Sequence, residues 1–175
     1  FDIFNEGEYH VGLGKDTRNF QIELSSENSV LGLGYDRKYF KAYEFHYTPD
    51  AKESNISMYG FKQKNFDNYE LLYSFRLEHL VVDPKINDIQ YNNLDPNDVK
   101  KRDFLTTSLS FGFRKEIKHI ELNSWVMQTM RAPRIEELYS DGPHLGTYSY
   151  ELGNPNLDLE KIYGFENSIS FNYLP

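Results

Sequence analysis

The chain has 175 residues and a net charge of -8, with 39% apolar and 16% aromatic content, and its 14 Tyr and 13 Phe against one Trp favour strands over helices. The acidic balance excludes nucleic acid as a partner, since no basic stripe exists to neutralise phosphates, and the absence of Cys excludes disulfides, thiolate metal sites and cysteine nucleophiles. No run approaches the roughly 18 consecutive apolar residues of a membrane helix, which leaves a membrane barrel open, because a barrel strand turns only alternate residues to lipid.

In chain order, Phe20, Ile22 and Leu24 alternate with Gln21 and Glu23, and Leu31, Leu33 and Tyr35 alternate with Gly32, Gly34 and Asp36. Residues 55–64 start with Ile56 and Met58 on one face and continue with Tyr59 and Phe61 on the other, a switch that predicts a bulge near Gly60. The clearest alternation spans residues 69–82, where Tyr69, Leu71, Tyr73, Phe75, Leu77, His79 and Val81 oppose Glu70, Ser74, Arg76 and Glu78. Leu105, Thr107, Leu109, Phe111 and Phe113 then oppose Thr106, Ser108, Ser110, Gly112 and Arg114. Residues 119–131 begin with Ile120 and Leu122 against Glu121 and Asn123, then blur around Trp125 to Met127. Last, Tyr163, Phe165, Ile169, Phe171 and Tyr173 oppose Gly164, Glu166, Ser168, Ser170 and Asn172. Period-two alternation puts one set on an apolar side and the other on a polar side. The reading is seven strands and no amphipathic helix.

The connections carry more information than the strands. Short ones are expected near residues 25–28, 65–68 and 115–118, and long ones over 38–54, 83–102 and 132–160. Long structureless loops are uncommon in compact soluble domains, and here they fall at every second junction, hence at one end of the sheet. Several strands read as about 10 to 14 residues, longer than the usual five or six. The polar faces are rich in small and charged residues, as a wet or plugged lumen requires, and Tyr35, Tyr69, Tyr163 and Tyr173 are expected near strand ends as interfacial girdles. The fold expected is all-β: an antiparallel transmembrane β-barrel fragment of about seven strands, with short periplasmic turns and long extracellular loops. A soluble antiparallel sandwich is the competing architecture.

Residues 131–160 read R-A-P-R-I-E-E-L-Y-S-D-G-P-H-L-G-T-Y-S-Y-E-L-G-N-P-N-L-D-L-E. The ordered set Arg131, Pro133, Glu137, Leu138, Gly142, His144, Glu151, Gly153, Asn154, Pro155, Leu157 and Glu160 resembles a segment of TonB-dependent outer-membrane receptor barrels. The form with Gly142-Pro143-His144 and Tyr150-Glu151 is most similar to the branch that includes zinc-uptake receptors. Phe20 to Leu24, Leu31 to Tyr35 and Phe75-Arg76-Leu77-Glu78 fit the same template more loosely. The resemblance implies import of a scarce nutrient (a metal ion, or a metal chelate such as a siderophore or haem) across the outer membrane of a Gram-negative bacterium. The partners implied are the lipid membrane, the metal or metal-chelate substrate, and the TonB–ExbB–ExbD system, reached through a plug domain. Such barrels have about 22 strands. Residues 1–175 are therefore expected to be an interior part of the barrel, with the plug and the TonB-contact segment outside this chain and any leader before Phe1 missing or removed. Alone, such a piece is expected to aggregate in water.

Within the motif, Pro133 is expected to end its strand, Gly153-Asn154-Pro155 to turn the chain, and Arg131 and Glu160 to pair across a strand boundary; the whole set is read as structural. The histidines, His10, His46, His79, His119 and His144, show no compact ligand spacing. His144, with Asp141 and Glu151 near in sequence, is the first candidate for a metal or substrate contact, and Glu44 with His46 the second. No nucleophile elbow is present, Gly32-x-Gly34 lacks the remainder of a dinucleotide fingerprint, and nothing positions Glu136-Glu137 for acid–base work. No enzyme and no cofactor are expected. Glu23, Asp36, Glu70, Arg76, Glu78, Arg114, Glu121 and Glu166 are expected to face the lumen and meet the plug. The alternatives to coupled transport are a passive porin or adhesin barrel, and a secreted β-sandwich that binds carbohydrate through exposed Tyr and Trp125.

Overall fold

A computed structural model describes residues 12–43, 47–86, 89–144 and 148–171. Strands β1 (Gly12–Ser26), β2 (Ser29–Tyr43), β3 (Ala51–Asn65), β4 (Glu70–Pro84), β5 (Arg102–Ile117) and β6 (Ile120–Arg131) follow one another in sequence. After them come helix α1 (Ile135–Tyr139), the short strands β7 (Asp141–His144) and β8 (Ser149–Leu152), and strand β9 (Glu160–Phe171). One seven-stranded sheet has the order β1-β2-β3-β4-β5-β6-β9, with every neighbour antiparallel, and β7 and β8 form a separate hairpin. The sheet is open among the described residues, an arc of barrel wall rather than a closed ring.

One side of this sheet carries the large apolar residues, and they are bare: Phe20 is 63% exposed, Phe165 71% and Phe171 70%. A soluble sandwich would bury that side against a second sheet, whereas a barrel wall turns it to lipid. The other side is polar and cross-linked. Asn55 and Arg76 both donate to Glu78, at 2.9 and 2.8 Å, Tyr59 donates to Glu23 at 2.9 Å and pairs with Gln21, and Arg114 meets Glu70 at 3.3 Å and Asn123 at 3.0 Å. By register, Glu23, Asp36, Glu70, Arg76, Glu78, Arg114, Glu121 and Glu166 all lie on this side.

The apolar belt crosses the strands on a slant. Leu24 is the last outward apolar residue of β1 before its turn; followed through the paired residues Leu31, Gly60, Phe75, Leu109 and Gln128, its row arrives at Tyr163, where the belt of β9 begins. Strands tilted against a membrane of fixed thickness require this stagger.

Four expectations need correction. No bulge interrupts β3 at Gly60, because pairing to both neighbours runs through it without a break. The apparent change of face arises because Tyr59 points to the polar side, where its ring lies over Gly32, while Phe75 covers Gly60 on the outer side. Trp125 and Met127 blur the pattern of β6 for the same reason: both are on the polar side, packed over Gly112 and Gly164. Trp125 is therefore not an exposed carbohydrate platform. The seven strands of the large sheet are 12 to 16 residues long, so Tyr35 is in mid-strand, and β2 and β3 reach into the span 38–54 expected as the first long loop, to Tyr43 and from Ala51. Finally, helix α1 exists, its Ile135, Leu138 and Tyr139 buried at the i, i+3, i+4 spacing of one helical face. Tyr69 stacks on Phe66 at 4.4 Å in the turn after β3, as a girdle residue would, whereas Tyr173 lies outside the described residues.

Candidate functional site

The described residues of the second and third long loops, 85–86, 89–101, 132–144 and 148–159, fold back on the polar side of the sheet at the long-loop end. Between them and the strands sits the only tight apolar cluster among the described residues: Ala51, Val82, Phe104, Val99, Ile135, Leu138 and Tyr139, with Leu157 and Leu159 against it. The even-numbered Val82 and Phe104 share the lumen face with Glu78 and Thr106, so this core roofs the mouth of the lumen rather than filling a sandwich.

Arg131, the last residue of β6, explains how the third loop is closed. Its guanidinium donates both terminal nitrogens to Glu137, at 2.9 and 3.0 Å, and its Nε to Glu160 at 2.7 Å. Glu137 also accepts the Arg134 backbone N–H at 2.7 Å, which caps α1. The Arg131 guanidinium and then this backbone bond hold the Glu137 carboxyl below its ordinary value. Pro133, buried just after the strand, offers no N–H to prolong the ladder. Asn154 N donates to the Glu137 carbonyl at 2.9 Å and Gly153 N to the Ser140 carbonyl at 2.7 Å, so the Gly153-Asn154-Pro155 turn is stitched to α1. A Cβ on Gly153 would come within 2.6 Å of the backbone of Leu138 and Tyr139, so only glycine lets the two segments meet. Arg102 donates to the carbonyls of Pro155 and, at 2.8 Å, Leu157, and the Tyr139 hydroxyl donates to the Lys100 carbonyl at 2.6 Å.

Asp141 joins the two loops. Only 3% exposed, its carboxylate accepts the backbone N–H groups of Asn92, Asn93 and Leu94 at 2.7, 2.7 and 2.9 Å, the Asn93 amide at 2.9 Å and the Tyr150 hydroxyl at 2.7 Å. Burial alone would raise this carboxyl; the donors from Asn93, Leu94 and Tyr150 outweigh it and hold the group well below the carboxylate range. The sequence named Asp141 only as a neighbour of His144. Its partners in the second loop, 47 to 49 residues away, leave no local signal.

At the far end of this hairpin, His144 on β7 and Glu151 on β8 pair through Nδ1 and a carboxylate oxygen. The Tyr47 ring lies 5.0 Å from the imidazole, and a Cβ on Gly142 would touch Tyr47, so the glycine admits this ring to the site. Burial, then Glu151 and Glu136, raise the Tyr47 phenol, which stays a hydrogen-bond donor at physiological pH. The structure thus brings together His144, Glu151 and Tyr47, and directs Asp141 away to the second loop. Glu44 and His46 lie outside the described residues, as does His10. His79 lies 3.5 Å from Asp103 on the membrane side and His119 is in the turn after β5, so neither belongs to the β7–β8 hairpin. Among the described residues, no three His, Asp or Glu side chains converge as a ready metal cage. An imidazole–carboxylate pair beside an aromatic ring supplies two potential ligands and a stacking surface, suited to touching a cation or chelate in passing rather than holding it permanently.

The full set of features is an antiparallel meander with a lipid-facing belt, a charged inner face, short turns at one end and folded loops at the other. The chain also matches, over residues 2–173, the family described as TonB dependent receptor-like, beta-barrel, whose members are transporters rather than enzymes. The chain therefore belongs to the TonB-dependent receptors of the Gram-negative outer membrane, as wall strands and extracellular loops of the transporting barrel.

Proposed function

We propose that this chain is an interior stretch of the barrel of a receptor that imports a metal ion or metal chelate, with zinc, a ferric siderophore or haem as the substrate class. The observation that carries the reading is the His144–Glu151 pair beside Tyr47, presented on a hairpin that Asp141 fastens to the second loop at the lumen mouth. Soft and borderline metals bind imidazole and carboxylate together, and flat chelates stack on phenol rings. The other motif residues between Arg131 and Glu160 support the pair without touching substrate. The charged lumen face, from Glu23 to Glu166, serves as the seat of a plug that the TonB–ExbB–ExbD system moves.

The test uses the full-length receptor in cells, with labelled zinc, a labelled ferric siderophore and haem as separate probes. Accumulation of one probe should depend on both the receptor and TonB, and should fall at least about fivefold in a H144A/E151Q variant that still assembles. Uptake independent of TonB would establish a passive pore instead. If no metal probe requires the receptor, the substrate reading is wrong.

A further inference from the structure

All three extracellular loops of this sector are tied to one another. In the first loop, the Thr48 hydroxyl meets that of Ser140 at 2.7 Å, with only 3% and 1% of the two residues exposed. Beside it the Asp141 N–H donates to the Tyr47 carbonyl at 2.7 Å, and Pro49 is fully buried. The same segment reaches the second loop, where the Lys85 N–H donates to the Asp50 carbonyl at 2.8 Å and the Lys85 Nζ meets the Asp50 carboxylate at 3.2 Å. The second and third loops are joined by Asp141 on residues 92–94 and by the Tyr139 hydroxyl on the Lys100 carbonyl. Each loop thus holds both of the others.

Hydrogen bonds between exposed segments come apart readily, because water replaces the lost partner at small net cost. Here Thr48, Tyr139, Ser140 and Asp141 are buried, and the bonds lie beside an apolar core. That core takes Val99 from the second loop and Ile135, Leu138 and Tyr139 from the third, and packs them on the wall residues Ala51, Val82 and Phe104. Lifting one loop would bare apolar side chains of its neighbours and of the wall together. Segments that open easily have the opposite character, with few buried apolar contacts and solvated backbone bonds.

We propose that these three loops form a fixed roof over their sector of the lumen mouth, which stays shut throughout transport, so that any lid over the substrate is made by other loops of the barrel. Tyr47 shows the consequence. Its carbonyl is held by Asp141 and the next residue by Ser140, so its ring is set 5.0 Å from the His144 imidazole before anything binds. The roof owes its closure to contacts within the chain, and the proposal therefore holds whatever the receptor imports.

Two measurements on the full-length receptor test this. In the purified wild type, the Asp141 and Gly153 amides, which bond the Tyr47 and Ser140 carbonyls, should exchange with deuterium within about tenfold of the strand amides of β4 and β5. Exchange a thousandfold faster than those strands would overturn the proposal. In cells, a receptor otherwise free of cysteine carries either Ser140→Cys or Tyr148→Cys, the latter at a site 95% exposed. A membrane-impermeant maleimide is applied to cells growing in full medium, to cells treated with a protonophore, and to energised cells given zinc, haem or a ferric siderophore. Ser140→Cys should label at least about a hundredfold more slowly than Tyr148→Cys in every case. Labelling of Ser140→Cys that speeds up tenfold in growing cells, or with any of the three probes, would show a lid and refute the fixed roof. Should Ser140→Cys fail to assemble, the exchange measurement decides alone, because it needs no substitution.

Discussion

Replacing Asp141 with Ala removes the one group that gathers three backbone N–H donors of the second loop, at 2.7 to 2.9 Å, with the Asn93 amide and the Tyr150 hydroxyl. Hydrogen bonds to a charged acceptor contribute about 1.5 to 3 kcal/mol each, but the loop can lift and let its amides meet water, which limits the total loss. The expected cost is about 3 kcal/mol of loop docking, roughly a hundredfold in the opening equilibrium. Amide hydrogen exchange on the full-length receptor reads this directly, and residues 92–94 should exchange about a hundredfold faster in D141A while strand amides of β4 and β5 stay unchanged. The folded pKa of Asp141 is held well below its ordinary value of 3.8, so this stabilisation is present above that value and fades only as pH falls through the depressed one. Protection of residues 92–94, corrected for intrinsic exchange, should therefore be equal at pH 7 and pH 5. Unaltered protection in D141A, or release of the loop between those pH values, would refute the reasoning.

Gly153→Ala forces a methyl to within 2.6 Å of the backbone of Leu138 and Tyr139 and should cost about 2 kcal/mol, seen as a lower denaturant midpoint for the assembled receptor. Leu109→Arg, on the lipid belt at 55% exposure, should cost about 2 to 4 kcal/mol and slow folding into vesicles, whereas Ser110→Arg on the lumen side should cost far less; equal effects would place lipid on the wrong face. Glu137→Gln weakens the bidentate pair with Arg131 and, because both groups are partly solvated, should cost only about 1 kcal/mol at pH 7. The folded pKa of Glu137 lies below its ordinary 4.5, so the wild-type advantage should be full above that pH and vanish as the medium is acidified through the folded value. An advantage that does not shrink as the medium is acidified below pH 4.5 contradicts a charge pair.

Much of the wall was legible because its physics is local. Side chains such as Leu105, Leu109 and Phe111 face lipid while Thr106, Ser108 and Ser110 face water, and alternation records that directly. It misled where a large residue sits on the polar side over a glycine of the next strand, as Tyr59 does over Gly32 and Trp125 over Gly112. The rule there is pairwise, and the partner is invisible until register is known. The loop roof was less legible. Residues 131–160 were recognised as a unit, but the stitching of Gly153 to α1, of Arg102 to Leu157 and of Asp141 to residues 92–94 joins segments with no periodic signal. Helix α1, five residues long, is too short for a hydrophobic stripe to declare itself, although Pro133 and the acidic first turn of Glu136 and Glu137 mark its start.

The diagonal row from Leu24 to Tyr163 also governs strands beyond this chain. A strand added alongside β9 must carry its greasy residues a step nearer its periplasmic turn, and one added alongside β1 a step nearer its outer loop. Neighbours in the complete receptor can thus be ranked around the ring by where each apolar run begins relative to its turn. The sum of those steps over one circuit is the offset with which the cylinder closes.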